Sequence, residues 1–190
     1  MELLAEAVAA TPEEAAGYAR DFLRLRAERR AAAGLPAGLA DYERQREWLE
    51  GLGRYAELGI WREASVSPEY QPMAAVMEDP AFDAYRKYET RLNRELGQFG
   101  RMAGDVGDGR FYYSGYAQAV LLDRLDDGWK ARAFQPGVFL EDLLAEAVNW
   151  AGKTRQASFF CNPSFVTRRY KRQTPPWGRW RNAKEENGEV

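Results

Sequence analysis

From Thr11 onward the apolar positions recur every three or four residues with charged residues between them, the period of amphipathic helices. Thr11-Pro12-Glu13-Glu14 opens the first long one. Thr11 can cap it, Pro12 fits its first turn and Glu14 completes a capping box. The spacing predicts a helix through "AAGYARDFLRLRAERRAAA" that stops at Gly34, with Pro36 just beyond. Tyr18, Phe22, Leu25 and the stem of Arg29 form its expected inner face. Before Thr11, the residues Leu3, Leu4, Ala7 and Val8 read as the end of another helix, which suggests truncation of a longer protein.

A second long helix is expected from about Asp41 to Ala64, with Tyr42, Leu49, Leu52, Ala56 and Ile60 as a buried stripe widened by Trp48 and Tyr55. It contains Gly51, Gly53 and Gly59, although a glycine inside a helix costs about 1 kcal/mol relative to alanine. Pro68 and Pro72 make residues 67–73 a loop. Asp79-Pro80 then starts a helix to about Met102, with Phe82, Tyr85, Leu92, Leu96 and Phe99 facing inward. "GDVGDG" (104–109) reads as a turn and lacks the alternating oxygen ligands of a calcium loop. "FYYSGYAQAVLLDRL" (111–125) is apolar enough to be the central helix. A short helix in "DDGWKARAF" and a last one near 138–150 follow. No strand alternation or internal repeat interrupts this pattern, so the expected fold is all-α, an irregular helical bundle over residues 1–150.

From residue 151 the periodicity stops, and residues 151–190 read as a poorly structured basic tail. Charge marks the same boundary. Residues 1–150 hold 18 Lys+Arg against 26 Asp+Glu, a net of −8, whereas residues 151–190 hold 9 against 3, a net of +6. Arg168, Arg169, Lys171 and Arg172 stand near Trp177 and Trp180, a mixture suited to phosphate neutralisation and base stacking. The tail is thus either a nucleic-acid-binding arm or an extension without function. No apolar run is long enough to cross a bilayer, and the N-terminus carries acids where a signal peptide needs a basic start. Nothing in the sequence fixes a compartment.

The chain has no histidine and a single cysteine, Cys161. That excludes Ser-His and Cys-His catalysis and the H-E-x-x-H zinc site for this chain acting alone. Chemistry would have to rest on carboxylates, tyrosines, lysines or arginines. Glu47, Glu50, Arg54 and Glu57 are spaced to share one helix face. They form either a solvated stripe in which Glu50 pairs with Arg54, or a site in which Glu50 or Glu57 serves as a metal ligand. A carboxylate-only enzyme using Glu47, Glu50 and Glu57 is a third reading. Tyr112, Tyr113 and Tyr116, with Ser114, either line a substrate cleft or pack in the core.

"EWLEGLGRYAEL" (47–58) resembles the glutamate-bearing helix of gluzincin-type zinc metallopeptidases. Residues 20–148 as a whole are similar to the C-terminal half of uncharacterised bacterial proteins with an upstream H-E-x-x-H. The resemblance rests on "LRAERR", "YERQREWLEGLGRYAEL", "GDGRFYYSGYAQAVLLDRL" and "GWKARAFQPGVFLEDLLAEAV". It implies that Glu50 is a third zinc ligand, with Tyr55, Glu57, Tyr112, Tyr113 and Tyr116 near the cleft. It also implies that the zinc-binding histidines belong to a missing N-terminal peptidase segment, because this chain has none. An alignment placing Glu28 at the catalytic glutamate would leave Ala27 and Ala31 at the histidine positions, a dead site. Either way the chain alone is expected to bind no zinc and to hydrolyse no peptide, and the competing reading is a non-enzymatic helical interaction module.

Overall fold

Thr11 accepts a hydrogen bond from the Glu14 N–H at 3.4 Å, and the Glu14 carboxylate accepts one from the Thr11 N–H at 2.9 Å. This capping box starts α2 (Pro12–Ala32), and Gly34, at φ +55°, ends the turn beyond it. The computed structural model describes residues 1–80, 82, 87–104 and 107–150. The tail residues, Tyr85 and Asp105 lie outside the described residues. The described part is all-α, with no strand among the described residues.

The remaining helices are α1 (Glu2–Ala9), α3 (Ala37–Arg46), α4 (Leu52–Val66), α5 (Ala74–Met77), α6 (Tyr88–Leu96), α7 (Gln98–Met102), α8 (Gly109–Leu125), α9 (Trp129–Arg132) and α10 (Leu140–Ala147). A π-helical turn, Glu47–Gly51, joins α3 to α4, so one helical path runs from Ala37 to Val66. α8 is the axis of the bundle, packed against α1, α2, α4, α10 and the π turn. Its Ala117, Ala119, Leu121 and Leu122 are fully enclosed, and Leu140 and Leu144 of α10 join them in the core. Burying each such leucine is worth about 1.5–3 kcal/mol. Arg124 of α8 donates to the Ala7 and Val8 carbonyls at 2.7 and 2.6 Å, satisfying the open C-terminus of α1.

Two expected faces are corrected. On α2 the buried residues are Ala15, Ala19, Phe22, Leu23 and Arg26, while Leu25 is 44% exposed. Small alanines let α8 approach closely, and the arginine is buried with its counter-charges. On the α3–α4 path, Tyr42, Leu49 and Ile60 are exposed, at 39%, 55% and 61%. The inner face is instead Glu43, Glu47, Gly51 and Leu58. Four-residue steps drift by about 40° each in a regular α-helix. The π turn, with more residues per turn, cancels part of that drift and keeps Glu43, Glu47 and Gly51 on one side.

Gly51 answers for its place in that helix. A Cβ on Gly51 would overlap the backbone of Gly115 in α8 and come within 2.9 Å of the Tyr116 nitrogen. A Cβ on Gly115 would in turn overlap the Gly51 Cα, the Glu47 carbonyl and its carbon. Gly53 and Gly59 meet nothing within 4 Å, so only Gly51 is required by packing.

Candidate functional site

Where the π turn meets α2, α8 and α10, the protein buries an ion network. Arg26 and Glu47 are 7% and 2% exposed at the side chain and form a two-pronged pair, in which the Arg26 guanidinium donates to both Glu47 oxygens. Arg26 also donates to Glu141 at 3.0 Å. Glu47 further accepts from the Ser114 hydroxyl at 2.5 Å and from the Gln118 amide at 2.9 Å. Arg30 links Glu141, at 2.8 and 3.0 Å, to Glu43 at 3.2 Å, and Arg29 holds both Glu43 oxygens at 2.7 Å. Three arginines therefore meet three glutamates, and all six carboxylate oxygens are engaged.

Electrostatics follow from this closure. Burial alone would weaken the charge on Arg26, but Glu47 and Glu141 outweigh it and raise its pKa further above the ordinary value. Burial pushes the Glu141 carboxyl up, yet Arg26 and Arg30 prevail and hold it below the ordinary carboxylate value. The network is charged, neutral in sum and without a free base.

Glu50 points elsewhere. Arg46 donates to it at 2.7 Å and Tyr112 gives it a hydrogen bond that raises the tyrosine's own pKa. The expected Glu50–Arg54 pairing is replaced by this contact one turn earlier. Arg54 instead pairs with Glu57 at 2.8 Å and reaches Glu95 at 3.7 Å, and Arg91 contacts the same two carboxylates at 3.0 and 2.9 Å. Tyr113 donates to Glu95 at 3.1 Å, and burial with that carboxylate raises its pKa. Tyr55 donates to Asp123 at 2.8 Å and packs edge-on against Trp129 at 5.6 Å. Tyr116 is 5% exposed in the core, where burial drives its pKa far up. Glu50 and Tyr112 thus come together, Glu57 and Tyr113 are linked only through Glu95 and the arginines Arg54 and Arg91, and Tyr55 and Tyr116 stand apart. Glu47, Glu50 and Glu57 occupy three separate ion-pair groups: Glu47 with Arg26, Glu50 with Arg46, which also meets Asp108 at 3.0 Å, and Glu57 with Arg54 and Arg91.

No group of three His, Cys, Asp or Glu able to hold a metal exists among the described residues, and Glu50 is already engaged by a cation. The candidate nucleic-acid residues Arg168, Arg169, Lys171, Arg172, Trp177 and Trp180 lie outside the described residues.

A cleft of about 290 Å³ borders the network on the side of α1, α7 and the start of α8. Leu4, Phe22, Leu25, Met102 and Phe111 supply its apolar lining, and Arg110 stands in it beside Arg26, Arg29, Glu43, Glu47 and Ser114. Hydropathy passes over Arg26, Gln118, Glu141 and Arg110, since charged and amide side chains are assigned to water. The available signal was the four-residue step Glu43–Glu47–Gly51 facing a run of arginines in "LRAERR". Set against family models, curated proteins and solved structures, the chain finds no match in any of the three.

Proposed function

We propose that residues 1–150 are the helical part of a metallopeptidase-like hydrolase that does not cleave peptides by itself. In this reading Glu50 is the carboxylate that would join histidines supplied from outside the chain. The observation that supports it is the π turn, which falls on Glu47–Gly51, the stretch that resembles the ligand-bearing helix. π turns are rare and recur at functional sites because the wide turn re-aims side chains at a cost in hydrogen bonding. Here it separates two carboxylates only three residues apart. Glu47 turns inward to Arg26, while Glu50, 16% exposed, lies between Arg46 and Tyr112 at the edge of α8. Gly51 against Gly115 then fixes the turn on α8, so the direction of Glu50 is set by backbone packing as well as by its partners.

Among the described residues no group of three His, Cys, Asp or Glu could hold a metal, so in this reading the histidines come from elsewhere. The test is the intact mass and zinc content of the protein isolated from its native host. The expected product is longer, carries two histidines upstream, and holds one zinc that Glu50→Gln releases. A product with this sequence and no metal, or a zinc retained by Glu50→Gln, would overturn the reading.

A further inference from the structure

We infer that the cleft between α1, α2, α7 and the start of α8 is a binding site for a small apolar carboxylate, with Arg110 as the residue that receives the anionic group. Charge accounting leads there. The cleft contains three arginines and two glutamates. Arg26 and Arg29 are committed to Glu47, Glu141 and Glu43, whose oxygens are all occupied. Arg110 is the surplus. It pairs with no carboxylate among the described residues, its Nε is buried without an acceptor, and its guanidinium lies 4.7 Å from the centre of the Phe111 ring. A guanidinium set on an aromatic ring, partly removed from water and with no carboxylate partner among the described residues, is a ready two-pronged donor for a carboxylate.

The rest of the cleft defines the other end of the ligand. Leu4, Phe22, Leu25, Met102 and Phe111 are apolar, and in the network behind them every oxygen of Glu43, Glu47 and Glu141 is already engaged by an arginine. At about 290 Å³ the space falls just below the range of about 300–1,000 Å³ for drug-sized ligands, so it suits a short acyl or aryl group. Glu50 does not line the cleft, and the inference holds or fails independently of the metallopeptidase-like reading.

Calorimetric titration of the full chain with octanoate, and with 1-octanol as the uncharged counterpart, tests it. Octanoate should bind saturably at one site and more tightly than 1-octanol. Arg110→Ala should weaken octanoate about tenfold, the size of effect expected for removing a charged hydrogen-bonding partner, and leave 1-octanol unchanged. Ala103→Trp, at an exposed position on the lining, should block both ligands while circular dichroism stays that of the parent. Absence of saturable octanoate binding, equal affinity for the alcohol, or indifference to Arg110→Ala would each overturn the inference.

Discussion

The helical path from Ala37 to Val66 has two faces that invert the usual rule. Its inner face buries Glu43 and Glu47, and its outer face exposes Leu49, Ile60 and Val66, the last at 71%. The difference lies in the neighbours and not in the residues. Glu47 is met by donors from two other helices: Arg26 on α2, and Ser114 and Gln118 on α8. The outer leucine and isoleucine meet no such set. Breaking a buried ion pair costs about 3–5 kcal/mol, so Glu47→Leu, which leaves Arg26 with Glu141 alone and takes the acceptor from Ser114 and Gln118, should lower the urea-derived stability by about that amount. Leu49→Ser on the opposite face should stay within about 0.5 kcal/mol. Adding Arg26→Met to Glu47→Leu should recover much of the loss, because an apolar replacement of a whole buried pair is often neutral. Equal effects of Glu47→Leu and Leu49→Ser would erase the contrast between the faces.

Acid should act on the same inner face. Glu141 releases its proton more readily when folded than when unfolded, so its contribution is fully present above the unfolded carboxylate value of about 4.3 and is lost as pH falls through its lower folded value. Asp142, whose carboxyl burial raises despite Arg44, has the opposite sign and partly offsets it. Urea midpoints of the parent should therefore fall below about pH 4, and Glu141→Gln should flatten that limb from a lower plateau. A limb unchanged by Glu141→Gln would place the acid sensitivity outside the network.

The glycines repeat the comparison at smaller scale. Gly51→Ala drives a methyl into the Gly115 backbone and should destabilise by about 1–3 kcal/mol, the usual cost of overpacking. Gly53→Ala, two residues on and open to space, should stabilise by about 0.5–1 kcal/mol, since alanine is the better helix former. Thermal melts of the two variants should move in opposite directions.

These contrasts mark what the sequence made legible. The capping box at Thr11, the stop at Gly34, the central position of 111–125 and the all-α class are set by local chemistry and by periodicity, both of which a single chain displays. Faces are not local. Arg26 and Glu47 are 21 residues apart, and Arg26 and Glu141 are 115 apart. Hydropathy therefore assigns each one singly to water, and only their convergence makes burial affordable. The exposure of Ile60 follows from the same event, because a helix that turns its carboxylates inward must turn another face out. Glu50 stands out in the sequence only through its resemblance to a motif, and a lone arginine at a helix start, such as Arg110, carries no pattern.

Glu50 itself supplies the finest test of the two faces. It is a part-buried carboxylate whose partners, Arg46 four residues earlier and Tyr112 across the contact with α8, are both at the rim of the bundle. Ion pairs of this i,i+4 kind contribute about 0.3–0.5 kcal/mol. Glu50→Gln keeps the shape and one hydrogen-bond acceptor, so its stability should fall by no more than about 0.5 kcal/mol. The same exchange at Glu47 leaves Arg26 without one of its two buried counter-charges and should cost several times as much. Denaturation of Glu47→Gln and Glu50→Gln side by side, at a pH where both carboxylates are ionised in the parent, separates a residue held for the fold from one whose orientation is available for function. Equal losses at the two positions would show that Glu50 is held for packing as firmly as Glu47, and its candidacy as a ligand would lose its structural ground.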